Sequence, residues 1–399
     1  MLRAPARLVG MGAKASPIAC FTLIVAMQVH AACPSPSPST DPTPTNPQPP
    51  APIPTENFTA EDGTRFGVQT YLSGLVVPWS LAFAPDGRLF ITERPGRVRI
   101  AQNGTLIAAP ALTLTDVAAD GEAGLLGLAL HPSFDANHLV YLVYTAQTSG
   151  GRVNRLVRYR EVNQILGERA VLLDNIPAAS IHDGSRIRFG PDGFLYMTMG
   201  DAADPSLAQS LGSLNGKILR LTDTGTAAPG NPFTSLIWSY GHRNPQGLDW
   251  HPVSGELWES EHGQTGNDEI NLIQRGGNHG WPVIEGAQTR PDMIAPVLFF
   301  SPAIAPSGAS FYRGAAITGF RNNLFVAALA GNQLRRVRFD PADARRVVGH
   351  EALVQGRYGR LRDVISGPDG ALYVSTSNRD GRASVAPNDD RVLRIVAVQ

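Results

Sequence analysis

From about residue 58 onward the apolar residues fall in short runs that alternate with polar ones, the period of two expected of strands with one covered face. Pro, Gly and Asp break these runs before a helix could complete three turns. One phrase recurs. It reads Leu81-Ala-Phe-Ala-Pro-Asp-Gly-Arg-Leu-Phe-Ile, then Ile187-Arg-Phe-Gly-Pro-Asp-Gly-Phe-Leu-Tyr-Met, then Val364-Ile-Ser-Gly-Pro-Asp-Gly-Ala-Leu-Tyr-Val. Looser copies are Leu128-Ala-Leu-His-Pro continuing to Leu139-Val-Tyr, Leu248-Asp-Trp-His-Pro continuing to Leu257-Trp, and Ile317-Thr-Gly-Phe-Arg-Asn-Asn-Leu-Phe-Val. Each copy predicts an apolar strand, a tight turn and a second strand, which is a β-hairpin.

Several copies are followed by a further strand bearing basic residues: Arg97-Val-Arg-Ile, Lys217-Ile-Leu-Arg-Leu, Leu334-Arg-Arg-Val-Arg-Phe and Arg391-Val-Leu-Arg-Ile. Six units spaced by roughly 45 to 70 residues match the period of four-stranded propeller blades. The expected fold is therefore all-β, a six-bladed β-propeller of four-stranded antiparallel blades over residues 58–399. A β-sandwich does not normally repeat one strand-turn phrase six times. The composition agrees, since 41 Gly and 32 Pro punctuate short strands and 43% hydrophobic residues can fill a large core. The 34 Lys and Arg balance 34 Asp and Glu, so no nucleic-acid partner is expected and the basic strands read as solvated blade edges.

The first 33 residues read as an export signal, with Arg3, Arg7 and Lys14 ahead of an apolar stretch too short to span a bilayer comfortably. Val29-His30-Ala31 allows ordinary cleavage. Ala31-Ala32-Cys33 also resembles the end of a lipobox, which would place a lipid anchor on Cys33. Residues 34–57 form a linker, with ten prolines between positions 34 and 54, a composition that favours extended chain and cannot bury a core. The protein is thus expected to be exported to the periplasm, either free or as a membrane-anchored lipoprotein. Cys20 and Cys33 are the two cysteines, so the body holds neither an internal disulfide nor a CxxC metal site.

Four loops carry candidate chemistry. His182-Asp183-Gly184-Ser185-Arg186 opens a hairpin that Met199-Gly200-Asp201 closes, bringing an imidazole and a carboxylate together as a general base requires; a histidine simply bonded within a turn is the structural alternative. Tyr240-Gly-His-Arg-Asn-Pro-Gln-Gly247 sets a cation and two amides around a proline, suited to a planar anion. Glu261-His-Gly-Gln-Thr-Gly-Asn-Asp-Glu-Ile-Asn271 offers carbonyls and carboxylates, hard donors for calcium, without EF-hand spacing. In Arg360-Leu-Arg-Asp363, alternation puts both arginines on one face, as carboxylate recognition needs. There is no HExxH, no GxxxxGK[ST] and no helix-opening GxGxxG, which removes the zinc peptidase, nucleotidase and Rossmann dehydrogenase readings.

Taken together, and with Pro78-Trp-Ser-Leu81, Gly121-Glu-Ala-Gly-Leu-Leu-Gly127 and Gly277-Asn-His-Gly-Trp-Pro282, these segments resemble the soluble quinoprotein sugar dehydrogenases, which use pyrroloquinoline quinone (PQQ). The resemblance covers nearly the whole propeller. It implies oxidation of an aldose at C1 to the lactone, with electrons passed on to a quinone or other acceptor. His182 would be the base, Asp201 would orient it, and Arg243 would stabilise charge on the cofactor. Asn244, Gln246, Arg360 and Arg362 would hold PQQ, and the carbonyls of Gly263 and Gln264 would ligate Ca2+. Asp268 and Glu269 match a separate structural calcium site.

The chain departs from the family pattern at several points. Ala330 stands where a cofactor-binding lysine is expected, Gln264 replaces a proline, Ile181 replaces an Asp before the base, and Glu122 stands at a substrate-contacting glutamine. Glucose selectivity therefore does not follow. Two other functions fit the same scaffold: a calcium-dependent propeller lactonase, which needs carboxylate ligands at the channel centre, and a binding propeller without the cofactor.

Overall fold

A computed structural model describes residues 55–398. The expected export signal, Cys33 and the linker as far as residue 54 lie outside the described residues. Among those described, no helix is long and apolar enough to cross a membrane. The strands form six antiparallel sheets. Their first strands are Pro78–Phe83, Leu125–Leu130, Ile187–Phe189, Pro245–Trp250, Pro306–Phe311 and Leu361–Ser366, and each packs beside the next in a closed ring around a central channel. This is the expected six-bladed β-propeller, its blades numbered here one to six in that order. Blade six is composite: behind Leu361–Ser366, Leu372–Thr376 and Val392–Ala397 lie Arg65–Leu72 and Thr55–Thr59 from the other end of the chain.

The three strict copies of the recurring phrase fold alike. At each turn Asp86, Asp192 or Asp369 accepts the N–H two residues on, at 3.0 to 3.2 Å, and the glycine that follows has φ near +80°, where a side chain would be strained. The basic third strands are not solvated edges, contrary to the charge-balance expectation. Arg220 donates to Asp192 at 2.9 Å, Arg394 to Asp369 at 2.8 Å, and Arg336, nearly fully buried, to Glu351 at 2.9 Å. In blades three and six the turn carboxylate thus holds the arginine of its own third strand, whereas in blade one Arg97 pairs with Glu93.

The fifth copy differs. Thr318–Phe320 is a short 3-10 turn, and the first strand of blade five is Pro306–Phe311, upstream of the phrase. The reason is crowding near the axis: a Cβ at Gly308 would collide with the Asp363 carboxylate, so this strand is built of small residues that carry little hydrophobic signal.

The apolar core is divided into six clusters, one at each junction between blades. Second strands such as Leu89–Glu93, Leu195–Met199 and Leu324–Ala328 are buried along their whole length, because each lies between two neighbouring blades. The axis itself is polar. Arg186 of blade three lies 3.1 Å from Asp363 of blade six, stacks 4.2 Å over Trp79 of blade one, and donates to the Gln246 carbonyl of blade four at 2.8 Å.

Blade three contains a second buried cation with a structural task. Lys217 opens the strand Lys217–Leu221, and its ammonium donates to the carbonyls of Leu207, Ala208 and Asn215 at 2.7 to 3.0 Å. Burial pushes its pKa down to about 7, while three acceptors favour the charged form. Lys217→Met would leave those carbonyls unsatisfied and release the loop 202–216. We expect a stability loss of about 2–4 kcal/mol, read as a lower urea midpoint at unchanged m; an unchanged midpoint would show that the loop holds without it.

Candidate active site

The first strands of the blades all begin at one mouth of the channel and the second strands end there, so residues just before a first strand and just after a second converge. His182 precedes Ile187–Phe189, and Asp201 follows Leu195–Met199. Their side chains meet as expected, His182 Nδ1 lying 2.8 Å from Asp201 Oδ1. The approach is possible because Gly200 has no side chain; a Cβ there would strike the His182 carbonyl. Asp201 is fully buried. Its other oxygen accepts the Trp281 indole N–H at 2.9 Å, and its own N–H donates to the Arg243 carbonyl at 2.8 Å. Imidazole, carboxylate and indole thus form a chain that fixes the ring and leaves Nε2 as its free nitrogen. Trp281 in turn lies under the Arg243 guanidinium, 5.3 Å away. The Gly277 to Pro282 motif holds this tryptophan, but nothing in the spacing assigned it a role.

The cleft beside His182 is lined by Arg94, Arg360, Arg362 and Arg382, set against Glu122 and Asp380. Arg360 donates to Asp380 at 2.7 Å, and Arg362 to Gln246 Oε1 at 2.9 Å, which also accepts from Ser307 at 3.0 Å. Both arginines of the Arg360 to Asp363 segment therefore do reach one cleft. Burial, opposed by Asp380 and reinforced by Arg360 and Arg94, pushes Arg362 down to about 9. The Nε atoms of Arg94, Arg243 and Arg362 and Nε2 of His262 are buried without a partner among the described residues. The three guanidinium nitrogens can only donate and so constitute an unfilled demand for acceptor oxygens, while Nε2 of His262 can donate or accept.

Arg94 and His262 were not singled out in the sequence, yet each immediately follows a second strand, the position Asp201 nearly occupies in blade three. Aligning the six repeats by strand rather than by turn would have found them. Asp380 and Arg382, on the loop after the second strand of blade six, carry no such signal. Asn244 is tied into the site from two sides: its Oδ1 accepts from Gly184 N at 3.2 Å, and its Nδ2 donates to Glu122 at 3.1 Å. Glu122 also accepts from His182 N at 3.2 Å, so it braces the base from behind.

Burial works against charge on Glu122, but His262, the His182 N–H and ring, and Arg362 outweigh it and hold its pKa down at about 2. A carboxylate depressed from 4.5 to about 2 contributes stability that is fully present above pH 4.5 and is lost as pH falls toward 2. The contribution is about 3 kcal/mol. We expect the acid limb of the wild-type stability curve to fall more steeply than that of Glu122→Gln across this window. Parallel curves in urea titrations at pH 2 to 6 would remove Glu122 from the account.

The calcium loop divides in two. The Gly263 and Gln264 carbonyls accept no hydrogen bond among the described residues, leaving them open to a cation. Asp268 is committed elsewhere: Oδ1 accepts from Gly263 N at 2.9 Å, and Oδ2 from Ile304 N and Ala305 N at 2.6 and 2.7 Å. It anchors the loop through these three backbone N–H groups. Glu269 accepts from Gly286 N at 2.8 Å, and burial with neighbouring Glu261 pushes its pKa up to about 8.

At the channel centre, where a lactonase would gather carboxylate ligands, the Arg186 to Asp363 ion pair stands instead. Ala330 is exposed and lies outside the arginine cleft, on a separate one between blades four and five.

Comparison with known proteins agrees with the geometry. The chain is 34% identical to the aldose sugar dehydrogenase YliI of Escherichia coli over 76% of its own length and 88% of that protein's. Among solved structures, the PQQ-bound aldose sugar dehydrogenase of Streptomyces coelicolor is 34% identical and superposes with a TM-score of 0.76, over 86% of this chain and 99% of that one. An oxidoreductase described as a glucose dehydrogenase from Thermus thermophilus is 47% identical with a TM-score of 0.76, over 83% of this chain and all of the other. The model of the Glucose / Sorbosone dehydrogenase family matches residues 75–386, nearly the entire propeller, and the chain belongs to that family.

Proposed function

We propose that the protein is a PQQ- and Ca2+-dependent dehydrogenase that oxidises an aldose at C1 to the lactone and returns its electrons to an external quinone or other acceptor. The observation that carries this reading is the His182–Asp201–Trp281 chain beside two adjoining clefts in which the Nε atoms of Arg94, Arg362 and Arg243 are unpartnered donors. PQQ, with three carboxylates and adjacent quinone carbonyls, fits that donor set, and the binding of PQQ by the Streptomyces relative supports the choice. Arg94, Arg360 and Arg362 would meet its carboxylates, Arg243 its quinone edge, and the Gly263 and Gln264 carbonyls the calcium. Arg94 supplies a cation in the cleft where Ala330 does not. When bound, the quinone supplies two-electron, hydride-accepting chemistry.

The protein supplies the rest. His182 donates Nδ1–H to Asp201, which leaves the Nε2 lone pair to take the C1 hydroxyl proton as the lactone carbonyl forms. Asp201, desolvated and held by Trp281, stabilises the resulting imidazolium. Arg243, fixed over the indole, offers positive charge where negative charge develops. Export through residues 1–33, with or without a lipid on Cys33, would place this chemistry in the periplasm.

The test is titration of the calcium-loaded protein with PQQ, followed by anaerobic addition of aldoses while the quinone absorption is followed. Saturable binding and bleaching by sugar are expected. Absence of binding at micromolar PQQ would return the propeller to the class of binding modules.

A further inference from the structure

Blade four contains a polar cluster that the active site does not use. On the strand Leu257–Glu261 the two-residue period turns Glu259 and Glu261 to one face, and the neighbouring strand Asp268–Leu272 sets Asn271 opposite Glu259 and Glu269 opposite Glu261. Four polar side chains therefore share one face of two paired strands, each 5% exposed or less. The Asn271 amide nitrogen lies 3.1, 3.4 and 3.2 Å from oxygens of Glu259, Glu261 and Glu269. One NH2 has two hydrogens and cannot satisfy three carboxylates; Glu261 and Glu269 also accept the Arg243 and Gly286 N–H groups, so the shortfall falls on Glu259. Fully buried His242 closes the cluster, its Nδ1 3.7 Å from Glu261 and its Nε2 2.9 Å from Ser239 Oγ.

Three atoms here have no hydrogen-bond partner: Glu259 Oε1 and His242 Nδ1, which belong to groups facing one another, and Asn271 Oδ1, which faces the carboxylates once the amide is turned over. A proton on Glu259 Oε1 would relieve charge but would itself lack an acceptor. A cation answers all three at once. One ligand atom each from His242, Glu259 and Glu261 lies within 4.8 Å of the others, close enough to contact a single ion.

We propose that Glu259, Glu261 and His242, with Glu269 and Asn271 completing the shell, hold one calcium ion inside blade four. Oxygen donors outnumber the single imidazole, which favours a hard cation, and turning the Asn271 amide over would present its Oδ1. Three carboxylates around a dication leave one negative charge, and Arg243 stands beside Glu261 to meet it. The ion would be structural. Glu261 accepts the Arg243 backbone N–H at 3.0 Å, so filling the site fixes the loop that presents Arg243. Its ligands differ from those the resemblance implies: Glu269 is shared with the implied structural site, whereas Glu259, Glu261 and His242 belong to neither that site nor the Gly263 and Gln264 carbonyls, and the proposal does not depend on the quinone reading.

The experiment is metal analysis of the mature protein purified without PQQ and dialysed into calcium-free buffer, with thermal midpoints measured in calcium and in EGTA. About one calcium per chain should remain, and EGTA should lower the midpoint. Glu259→Gln, which keeps shape and removes charge, should lose the ion and its EGTA sensitivity; Glu269→Gln serves if that variant does not fold. Added PQQ with calcium should bring one further equivalent to each, the second for wild type and the first for the variant. A failure of the quinone reading would remove that second equivalent and leave the first. Wild-type protein that retains no calcium, retains zinc or manganese instead, or keeps its calcium in both variants would overturn the assignment.

Discussion

Replacing His182 by alanine is expected to lower kcat for sugar oxidation by about two to four orders of magnitude while PQQ binding is retained. The asymmetry follows from where the side chain sits. His182 contributes its ring to the Asp201 pair, whereas the donors proposed to grip the cofactor belong to Arg94, Arg243, Arg360 and Arg362. Asp201→Asn separates two ways this base could work. An asparagine can still bond the ring, but it presents an oxygen to the imidazole only by turning its NH2 group onto the Trp281 N–H. A rate loss comparable to that of His182→Ala would show that the carboxylate's charge supports the base. The measurement is single-turnover reduction of reconstituted enzyme at saturating aldose; a His182→Ala rate within threefold of wild type would rule the residue out as the base.

The second large effect is on stability. Asp363→Ala should destabilise the propeller by about 3–5 kcal/mol, because it leaves the Arg186 guanidinium buried at the axis without its counter-charge. Asp363 also accepts the Leu81 N–H at 2.9 Å, so the change strands a donor of blade one as well. Burial already pushes Arg186 down to about 10, with Asp363 opposing that push. The double variant Arg186→Met/Asp363→Leu removes both charges and should recover part of the loss, since an ion pair replaced whole costs less than one broken. Chemical denaturation of the three proteins gives the comparison. A double variant less stable than Asp363→Ala would mean that shape at the axis, rather than charge, is what the pair provides.

Much of this architecture was legible in the sequence because the turn is chemically demanding. Pro-Asp-Gly needs a left-handed glycine and an acceptor at the aspartate, so it marks a hairpin wherever it occurs, and three such marks with three looser ones were enough to count blades. The inner strand of blade five escaped for the opposite reason. Its positions face the crowded axis, where Ser307, Gly308 and Ser310 fit and large apolar residues do not, so the hydrophobic signal vanishes where packing is tightest. The site behaved likewise. His182 and Asp201 could be paired because one hairpin joins them, whereas the placing of Trp281 against Asp201 spans 80 residues and is set by the ring as a whole. The resemblance places Asp268 at a metal site, and no local pattern reveals that its oxygens also accept three backbone N–H groups.

Blade six joins the two ends of the propeller, with Gln69 paired to Arg394 across 325 residues. During synthesis the strand Arg65–Leu72 is made some 325 residues before its partner Val392–Ala397, and in between there is no ring to close. Such a long loop makes this pairing slow as well as late. Until Val392–Ala397 is made, the ring stays open at blade six. Removal of the last eight residues should therefore do more harm than their number suggests, since it takes away the latch of a circle rather than the end of a line.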